Sequence, residues 1–296
     1  MLAVVGTVPS ADFPLTVGEV KLSDDTIQID GKNIPVNRGT PALLAAAARA
    51  LNVLGGPPVT GFLVGDIGLG DGSRRLYDYI TRSLNRFNFS VITFHYLQPD
   101  VDWHNRVLFA VEDISERPVL IADAGFMYAA KMSGSAPLYD LFTPDVGELA
   151  FLADEAAPHP FYTRGFILHD ENKVPDLIRR AYDHDNAARY LMVKGKRDYL
   201  ADKGGVREAV DKPAVEAMEA MGGTGDTLTG LVSALTGTGM PVPEAATAAA
   251  RINRIAGCLA EPTPASQIFE IIRHIPKAME TALRKPSDDL NDLQLP

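Results

Sequence analysis

The chain has 296 residues, of which 46% are hydrophobic and 22% charged, a balance typical of a soluble globular protein. Its formal net charge of −10 argues against nucleic acid as a partner, because phosphate backbones attract clusters of Lys and Arg. A single cysteine excludes an internal disulfide and a cysteine-rich zinc site, so we expect a reducing, cytoplasmic location. No apolar stretch approaches the roughly 18 residues that a membrane span needs, and the N-terminus lacks the basic start of a signal peptide.

The order of the predicted elements indicates the fold class. Short apolar runs between turn signals predict strands, and an apolar period of about 3.6 residues predicts helices. In chain order these elements are strands at 2–5, 18–22 and 26–29, a helix at 41–51, a strand at 59–64, a helix at 73–87, a strand at 90–94, a helix at 101–112, a strand at 118–122, helices at 145–152 and 173–182, strands at 190–193, 199–201 and 206–210, and helices at 226–237, 242–260 and 264–284.

Strands alternate with helices along most of the chain, which predicts a mostly parallel sheet with helices on both faces, a three-layer α/β/α sandwich. We expect one domain over residues 1–285, with a loop rich in His, Pro and aromatics at 155–170 and a frayed tail at 286–296. The hairpin-like segment 18–36 is predicted to serve as a lid or as a strand at a dimer interface. Ligands bind such sheets at the carboxyl ends of the strands.

Local signals mark three connections. Thr40 before Pro41 predicts a helix N-cap followed by proline in the first turn, and the Ala-rich helix that follows allows other backbone to pack closely. Asp30 and Gly31 predict a hairpin turn. The Gly-rich turn 65–72 indicates either backbone that approaches a ligand or an ordinary tight turn from strand to helix.

The stretch 221–230 combines a Gly-rich turn with the start of an apolar helix. The first N–H groups of a helix lack intrahelical partners and favour an anion, so Gly223, Thr224 and Gly225 are predicted to form an anion hole. Asp226 is the only acid in the turn. A carboxylate there suits a general base that takes a proton from a hydroxyl during phosphoryl transfer, whereas the alternative is a plain helix N-cap.

Three further acids and one histidine are candidates for the cleft. Asp145 and Glu148 lie three residues apart at a predicted helix start, so they face the same side of the helix. Two carboxylates placed in this way can bind Mg²⁺ through its water shell. The alternative is that they only interact with the helix dipole. Asp123 ends an apolar strand, where an acid is costly unless it is hydrogen-bonded or solvated. His95 is the only histidine that we expect near the cleft, and its alternative is a satisfied core residue.

A basic segment follows the predicted strand at 190–193. Its residues are Lys194, Gly195, Lys196 and Arg197. Basic side chains at a strand end can neutralise nucleotide phosphates, and the alternative is a solvated charged turn.

Taken together, these motifs resemble the ribokinase-like superfamily. Residues 223–226 are similar to its anion-hole and base motif, and Asp145-x-x-Glu148 is similar to its Mg²⁺-linked Asn-x-x-Glu. Within the superfamily the chain most resembles the ADP- or ATP-dependent NAD(P)H-hydrate dehydratases. The segments that carry this resemblance are 65–70, 122–124, 143–148, 193–195 and 222–230.

The resemblance implies an enzyme that uses ATP or ADP with Mg²⁺ to phosphorylate the hydroxyl of hydrated NADH or NADPH, and that then eliminates phosphate to restore the nicotinamide. It implies that Asp226 faces the substrate hydroxyl, and that Gly225 and the segment from Lys194 to Asp198 contact the adenine nucleotide. The substrate contacts that it implies are at Gly39, Gly68, Gly70, Asp123, Asp145 and Asp226. Related enzymes are often homo-oligomers, so by analogy we expect one here.

The chain departs from the dehydratase pattern, which keeps two alternatives open. Asp145 stands where the family has a substrate-contacting His, and a strand–helix unit over 90–115 precedes Asp123. That unit and residues 37–40 are also similar to sugar and vitamin kinases. The alternatives are therefore an ATP-dependent kinase for a small alcohol and a nucleotide-binding regulator without catalysis.

Overall fold

The computed structural model describes residues 1–155 and 173–283, so most of the predicted loop 155–170 and all of the predicted tail 286–296 lie outside the described residues. Eleven strands form one sheet in this part of the chain. They are β1 (Leu2–Val8), β2 (Thr16–Ser23), β3 (Thr26–Ile29), β4 (Lys32–Pro35), β5 (Thr60–Gly65), β6 (Val91–His95), β7 (Val119–Ala122), β8 (Leu141–Phe142), β9 (Tyr190–Val193), β10 (Asp198–Asp202) and β11 (Gly205–Val210).

Helices connect most of the strands. They are α1 (Thr40–Leu54), α2 (Asp71–Ser83), α3 (Val101–Glu112), α4 (Gly125–Met132), α5 (Val146–Ala153), α6 (Val174–Asp183), α7 (Ala217–Ala220), α8 (Thr224–Gly237), α9 (Val242–Ala260), α10 (Ile268–Ile272) and α11 (Ile275–Ala282).

The strand order is β11-β10-β9-β8-β7-β6-β1-β5-β2-β3-β4. The central strands, from β9 to β5 in that order, are parallel to one another. Antiparallel strands extend both edges, with β2, β3 and β4 at one and β10 and β11 at the other. The predicted α/β class with a mostly parallel central sheet is confirmed.

Two hydrophobic cores lie on the two faces of the sheet. Successive side chains of a strand point to opposite faces, so in β1 Leu2 and Val4 belong to one core while Ala3 and Val5 belong to the other. Helices α1, α8, α9, α10 and α11 cover the first core, and α2 to α6 cover the second. This arrangement leaves the carboxyl ends of the parallel strands uncovered at one edge of the sandwich.

Helices α1 and α8 pack very closely. A Cβ added to Gly230 of α8 would lie 2.2 Å from the carbonyl oxygen of Leu43 and 3.2 Å from the Cβ of Ala46, both in α1. The prediction that other backbone packs closely on the Ala-rich helix is therefore confirmed, because the small side chains of α1 leave room for the backbone of α8. The contact also aligns the N-termini of the two helices, where Gly39 and Asp226 lie.

Two local predictions are wrong, and one helix was not predicted. Gly39, not Thr40, is the N-cap of α1, because Gly39 adopts a φ of 68° that glycine tolerates best and the Thr40 hydroxyl is bound elsewhere. The helix expected over 264–284 is two helices, α10 and α11, and Pro276 lies in the first turn of the second. Helix α4 was not expected, because no side chain caps its start at Ala124.

The segment 18–36 forms the antiparallel edge β2–β3–β4, and Asp30 and Gly31 form the turn between β3 and β4, as predicted. Strand β2 pairs with β5, so this segment continues the main sheet. Its role as a lid or as a strand at a dimer interface stays a prediction.

We expect Gly230→Ala to destabilise the fold by about 1–3 kcal/mol, the usual cost of inserting a methyl group into a packed interior. The matched control is Gly237→Ala in the same helix, where the added Cβ would meet only the Cβ of Leu2 at 3.5 Å. That variant should be neutral or more stable by up to about 1 kcal/mol, because alanine favours helix. Urea unfolding of both variants measures the difference, and equal stabilities would contradict the close α1–α8 contact.

Candidate active site

A cleft of about 970 Å³ opens at the carboxyl ends of the parallel strands and at the N-terminus of α8. Four strands or the loops that follow them each bring a polar residue to the cleft, namely His95 at the end of β6, Asp123 after β7, Asp145 after β8 and Lys194 after β9. The predicted site residues that line the cleft are Asp123, Asp145, Glu148, Lys194, Gly195, Lys196, Asp198, Gly223, Thr224, Gly225 and Asp226.

Asp226 lies in the first turn of α8 and is buried. Its Oδ2 accepts a hydrogen bond of 2.6 Å from the backbone N–H of Gly39, and its Oδ1 lies 3.1 Å from Nε2 of His95. Burial alone would raise the pKa of Asp226, but the hydrogen bond and charge of His95, with the charge of Lys194, hold that pKa below its usual value. The N-cap of α8 is Gly223, so the plain-cap alternative for Asp226 does not hold.

The turn before Asp226 has the shape of an anion site. Gly223 adopts a φ of 100°, and a Cβ there would lie 2.9 Å from Ile268. The backbone of Gly225 passes directly over Lys194, because a Cβ added to Gly225 would lie 3.5 Å from Nζ of Lys194. An ammonium group therefore lies beside the N-terminal N–H groups of α8, and both favour negative charge.

Lys194 and Asp123 form a buried ion pair on the floor of the cleft. Nζ of Lys194 lies 2.8 and 3.0 Å from the two carboxylate oxygens of Asp123. The Thr229 hydroxyl donates to Oδ2 of Asp123 at 2.6 Å. Burial alone would lower the pKa of Lys194, but the carboxylates of Asp123 and Glu148 raise that pKa above its ordinary value, so the side chain stays a cation.

Asp145 and Glu148 form a capping box at the start of α5. The Asp145 side chain accepts from the Glu148 N–H at 2.7 Å, and the Glu148 side chain accepts from the Asp145 N–H at 2.8 Å. Burial, followed by the negative charges of Asp145 and Asp123, raises the pKa of Glu148 to about 8. One oxygen of each carboxylate is occupied in this capping box, and the other oxygen is of the kind that a hard cation such as Mg²⁺ prefers.

The predicted nucleotide segment divides between the cleft and the surface. Asp198 is buried against Arg254, whose Nε lies 2.8 Å from Oδ2 of Asp198 and whose NH2 donates to the carbonyl oxygens of Gly195 and Lys196. These contacts of Arg254 hold the backbone of Gly195 and Lys196 against α9. Arg197 does not line the cleft, because its guanidinium pairs with Asp211 at 2.6 Å.

Three predicted substrate-binding glycines do not line the cleft. Gly39 is nevertheless close to it, through its hydrogen bond to Asp226. Gly68 and Gly70 lie in the turn after β5, where their N–H groups donate to one oxygen of Asp66 at 2.9 and 3.0 Å. The turn is thus closed around the Asp66 carboxylate, which accounts for its glycines without a ligand.

Sequence reasoning missed several cleft residues. They are Tyr96, Asn253 and Arg254 in the lining, with the hydroxyls of Thr40 and Thr229 bound to His95 and Asp123. One signal was present, because Asn253 and Arg254 interrupt the apolar face of α9. The left-handed backbone of Tyr96, with a φ of 53°, and the hydroxyl contacts of the two threonines have no sequence pattern.

The arrangement combines the parts that phosphoryl transfer needs. A charged, oriented carboxylate can accept a proton, and a helix N-terminus beside a lysine can hold a transferring phosphoryl group. In residues 1–155 and 173–283, no helix has both the length and the apolar character that crossing a membrane requires.

Comparisons with known proteins show the family. The family model described as NAD(P)H-hydrate dehydratase matches residues 99–277, more than half of the chain. An uncharacterized protein of Methanocaldococcus jannaschii is 41% identical over 243 residues, which are 82% of this chain and 100% of that protein. The bifunctional NAD(P)H-hydrate repair enzyme Nnr of Pyrobaculum aerophilum is 34% identical over 118 residues, which are 40% of this chain and 20% of that enzyme.

Solved structures with the same fold are more distant in sequence. A ribokinase-like superfamily protein of Enterococcus faecalis has a TM-score of 0.59 at 15% identity, over 95% of this chain and 87% of that one. The Staphylococcus aureus pyridoxal kinase with ADP has a TM-score of 0.51 at 12% identity, over 86% of each chain. The tetrameric inhibited form of Escherichia coli phosphofructokinase-2 has a TM-score of 0.55 at 12% identity, over 95% of this chain and 99% of that one. With its ribokinase-like fold and this family match, the chain belongs to the carbohydrate-kinase-like family of NAD(P)H-hydrate dehydratases.

Proposed function

We propose that this enzyme phosphorylates the hydroxyl of hydrated NADH or NADPH with ATP or ADP, and then eliminates phosphate to regenerate the reduced nicotinamide. The observation that carries the proposal is the Asp226 carboxylate, which faces the cleft beside the N-terminus of α8 and Lys194. The family model and the Nnr relative support the choice of substrate.

In the first step Asp226 accepts the proton of the substrate hydroxyl. Its two oxygens are each bound by one donor, and a carboxylate has about four lone-pair positions, so it keeps capacity for this proton. The hydroxyl oxygen forms a bond to the terminal phosphorus while the bond from phosphorus to the leaving nucleotide breaks. The N–H groups of residues 223–225 and the Lys194 ammonium stabilise the negative charge of the phosphoryl group.

In the second step the phosphorylated ring loses phosphate. The carbon–oxygen bond breaks with its electrons on the phosphate, and the neighbouring ring carbon gives up a proton, so that the double bond of the nicotinamide is restored. Phosphate is a better leaving group than hydroxide, which is the reason for phosphorylating first.

The nucleotide is proposed to lie on the side of the cleft formed by Lys194–Asp198 and α9. The segment 213–219, which includes the start of α7, lines the cleft, and it packs tightly on α9, because a Cβ added to Gly257 would overlap Sδ of Met218 at 2.0 Å. Lys196 and Arg254 provide positive charge at the cleft lining. We propose that Arg197, which pairs with Asp211 outside the cleft lining, contacts the nucleotide only at the rim of the cleft.

Mg²⁺ would be held by Asp145 and Glu148 through water, and it would neutralise nucleotide phosphates when bound. The oxygen donors and the raised pKa of Glu148 fit such a cation. Asp145, one of the two acids proposed to hold Mg²⁺, stands at the position where the dehydratase family has a substrate-contacting His.

An ATP-dependent kinase for a small alcohol is the second candidate. It is favoured by the unit β6–α3, which lies between the 65–72 turn and Asp123, and by fold relatives such as the pyridoxal kinase solved with ADP. A regulator that binds nucleotide without turnover is a third reading. We also propose a homo-oligomer, as in the tetrameric phosphofructokinase-2.

The deciding experiment follows absorbance at 340 nm with chemically hydrated NADH, Mg²⁺ and either ATP or ADP. A rise that depends on nucleotide supports the dehydratase. A flat trace with consumption of ATP in a screen of small alcohols supports the kinase. Nucleotide binding without any turnover supports the regulator.

Asp226→Asn should lower the rate of phosphoryl transfer by about 10²–10⁴-fold, the usual scale for loss of a general base. The amide keeps the size of the side chain and can still accept from Gly39, so the dissociation constant for nucleotide should hardly change. Rates and calorimetric binding are measured on the same preparation. An unchanged rate would contradict the assignment of the base.

Above pH about 8, where Glu148 is ionised, Glu148→Gln should raise the Mg²⁺ concentration that gives half of the maximal rate, because the charge is lost while the amide oxygen can still accept from the Asp145 N–H. In the unaltered enzyme that Mg²⁺ concentration should fall as pH rises through about 8, since Glu148 is ionised above its raised pKa. Full turnover in excess chelator would remove the pair from the metal role.

A further inference from the structure

His95 is a buried, titratable residue that the proposed chemistry does not use. It ends β6, and both of its ring nitrogens have a partner. Nδ1 lies 3.0 Å from the Thr40 hydroxyl, and Nε2 lies 3.1 Å from Oδ1 of Asp226. The three side chains therefore form a continuous chain from the first turn of α1 to the first turn of α8.

The direction of the hydrogen bonds follows from the inventory of donors. An ionised Asp226 can only accept, so Nε2 of His95 carries the proton between the two groups. The Thr40 hydroxyl can donate to Nδ1 when the ring is neutral and accept from it when the ring is charged. In either state Asp226 receives one bond from His95 and one from Gly39.

The backbone is arranged to allow this chain. A Cβ added to Gly6 of β1 would lie 2.6 Å from the Thr40 hydroxyl and 2.6 Å from the His95 carbonyl oxygen. Only a residue without a side chain leaves room there for Thr40 to reach His95. Because this space lets the Thr40 hydroxyl contact His95, that hydroxyl does not cap α1 as the sequence predicted.

The surroundings of His95 are rich in charge. Asp226 faces it from α8, and Asp123 faces it from the end of β7 with Oδ2 3.9 Å from Nε2. Lys194, after β9, balances Asp123 through its ion pair, and the Tyr96 ring lies 4.4 Å away between centroids. Without a donor from His95, burial would favour protonation of Asp226.

We propose that Thr40 and His95 are positioning residues for Asp226, which they keep ionised and aimed at the cleft until the acceptor hydroxyl arrives. The inference rests on the proposed role of Asp226 as the base. His95 contacts no substrate and keeps its Nε2 proton, while the hydroxyl proton moves to Asp226 as the new oxygen–phosphorus bond forms and the bond to the nucleotide breaks.

The kinetic test compares His95→Leu with His95→Gln. Asp226 must be ionised to act, so activity is lost as pH falls through its pKa, and removal of the donor in His95→Leu should move this loss to higher pH. Its kcat should fall by about tenfold to a hundredfold, the range for one hydrogen bond to a charged group, with little change in KM for nucleotide. His95→Gln, whose amide can donate from nearly the place of Nε2, should recover much of the rate.

Thr40→Val and Thr40→Ser form a second matched pair, in which only serine keeps the hydroxyl. The valine variant should shift the acid limb in the same direction as His95→Leu, and the serine variant should resemble the unaltered enzyme. Equal pH profiles in all four variants, with unfolding temperatures unchanged, would overturn the proposal.

A measurement without turnover separates this proposal from the choice of reaction. Nitrogen-15 spectra of the free protein, with the His95 signals identified by their loss in His95→Gln, report which ring nitrogen carries the proton. We expect a protonated Nε2, with a changed Nδ1 signal in Thr40→Val. A ring protonated at Nδ1 alone would overturn the positioning role of His95, even if Asp226→Asn abolishes activity. A ring protonated at Nε2, together with an active Asp226→Asn variant, would instead contradict the role of Asp226 as the base.

Discussion

The cleft depends on how a single buried carboxylate is held. Asp226 carries charge where little water reaches, so donors have to replace its hydration, and Gly39 and His95 supply them. Gly39 precedes α1 and His95 ends β6, so the Asp226 carboxylate connects the start of α1 and the end of β6 to the first turn of α8. The close contact of α1 with α8 at Gly230 holds these two helices together, and β6 is placed by its pairing with β1 and β7.

The other charges divide the cleft into two environments. Asp226 receives hydrogen bonds and lies near Lys194, and its pKa falls, whereas Glu148 lies among other acids and burial raises its pKa to about 8. Two carboxyl groups in one cleft therefore differ in protonation near neutral pH, the condition under which acid–base and cation-binding roles can be separated. Lys194 connects the two environments, because it pairs with Asp123 and also lies under the backbone of Gly225.

Much of the fold could be predicted because strands and helices alternate, and alternation leads to a parallel sheet with its ligand site at the carboxyl strand ends. Asp123, Asp145 and Lys194, which follow β7, β8 and β9, meet at the cleft for that reason. Short elements were less predictable. Helix α4 starts without a cap, and the chain from 264 to 284 divides into α10 and α11, since local signals there are weak and packing decides.

The sequence by itself determined the order of the elements, the glycine turn at 223–225, the acid in its first helical turn and the basic segment after β9, because each depends on residues that are neighbours in the chain. Only the tertiary structure decided which donors reach Asp226, that Lys194 pairs with Asp123, and that Arg197 turns away to Asp211. These contacts join residues that are 187, 71 and 14 positions apart, respectively. Their partners are chosen by the crossing of α1 with α8 and by the order of strands in the sheet, which no local pattern encodes.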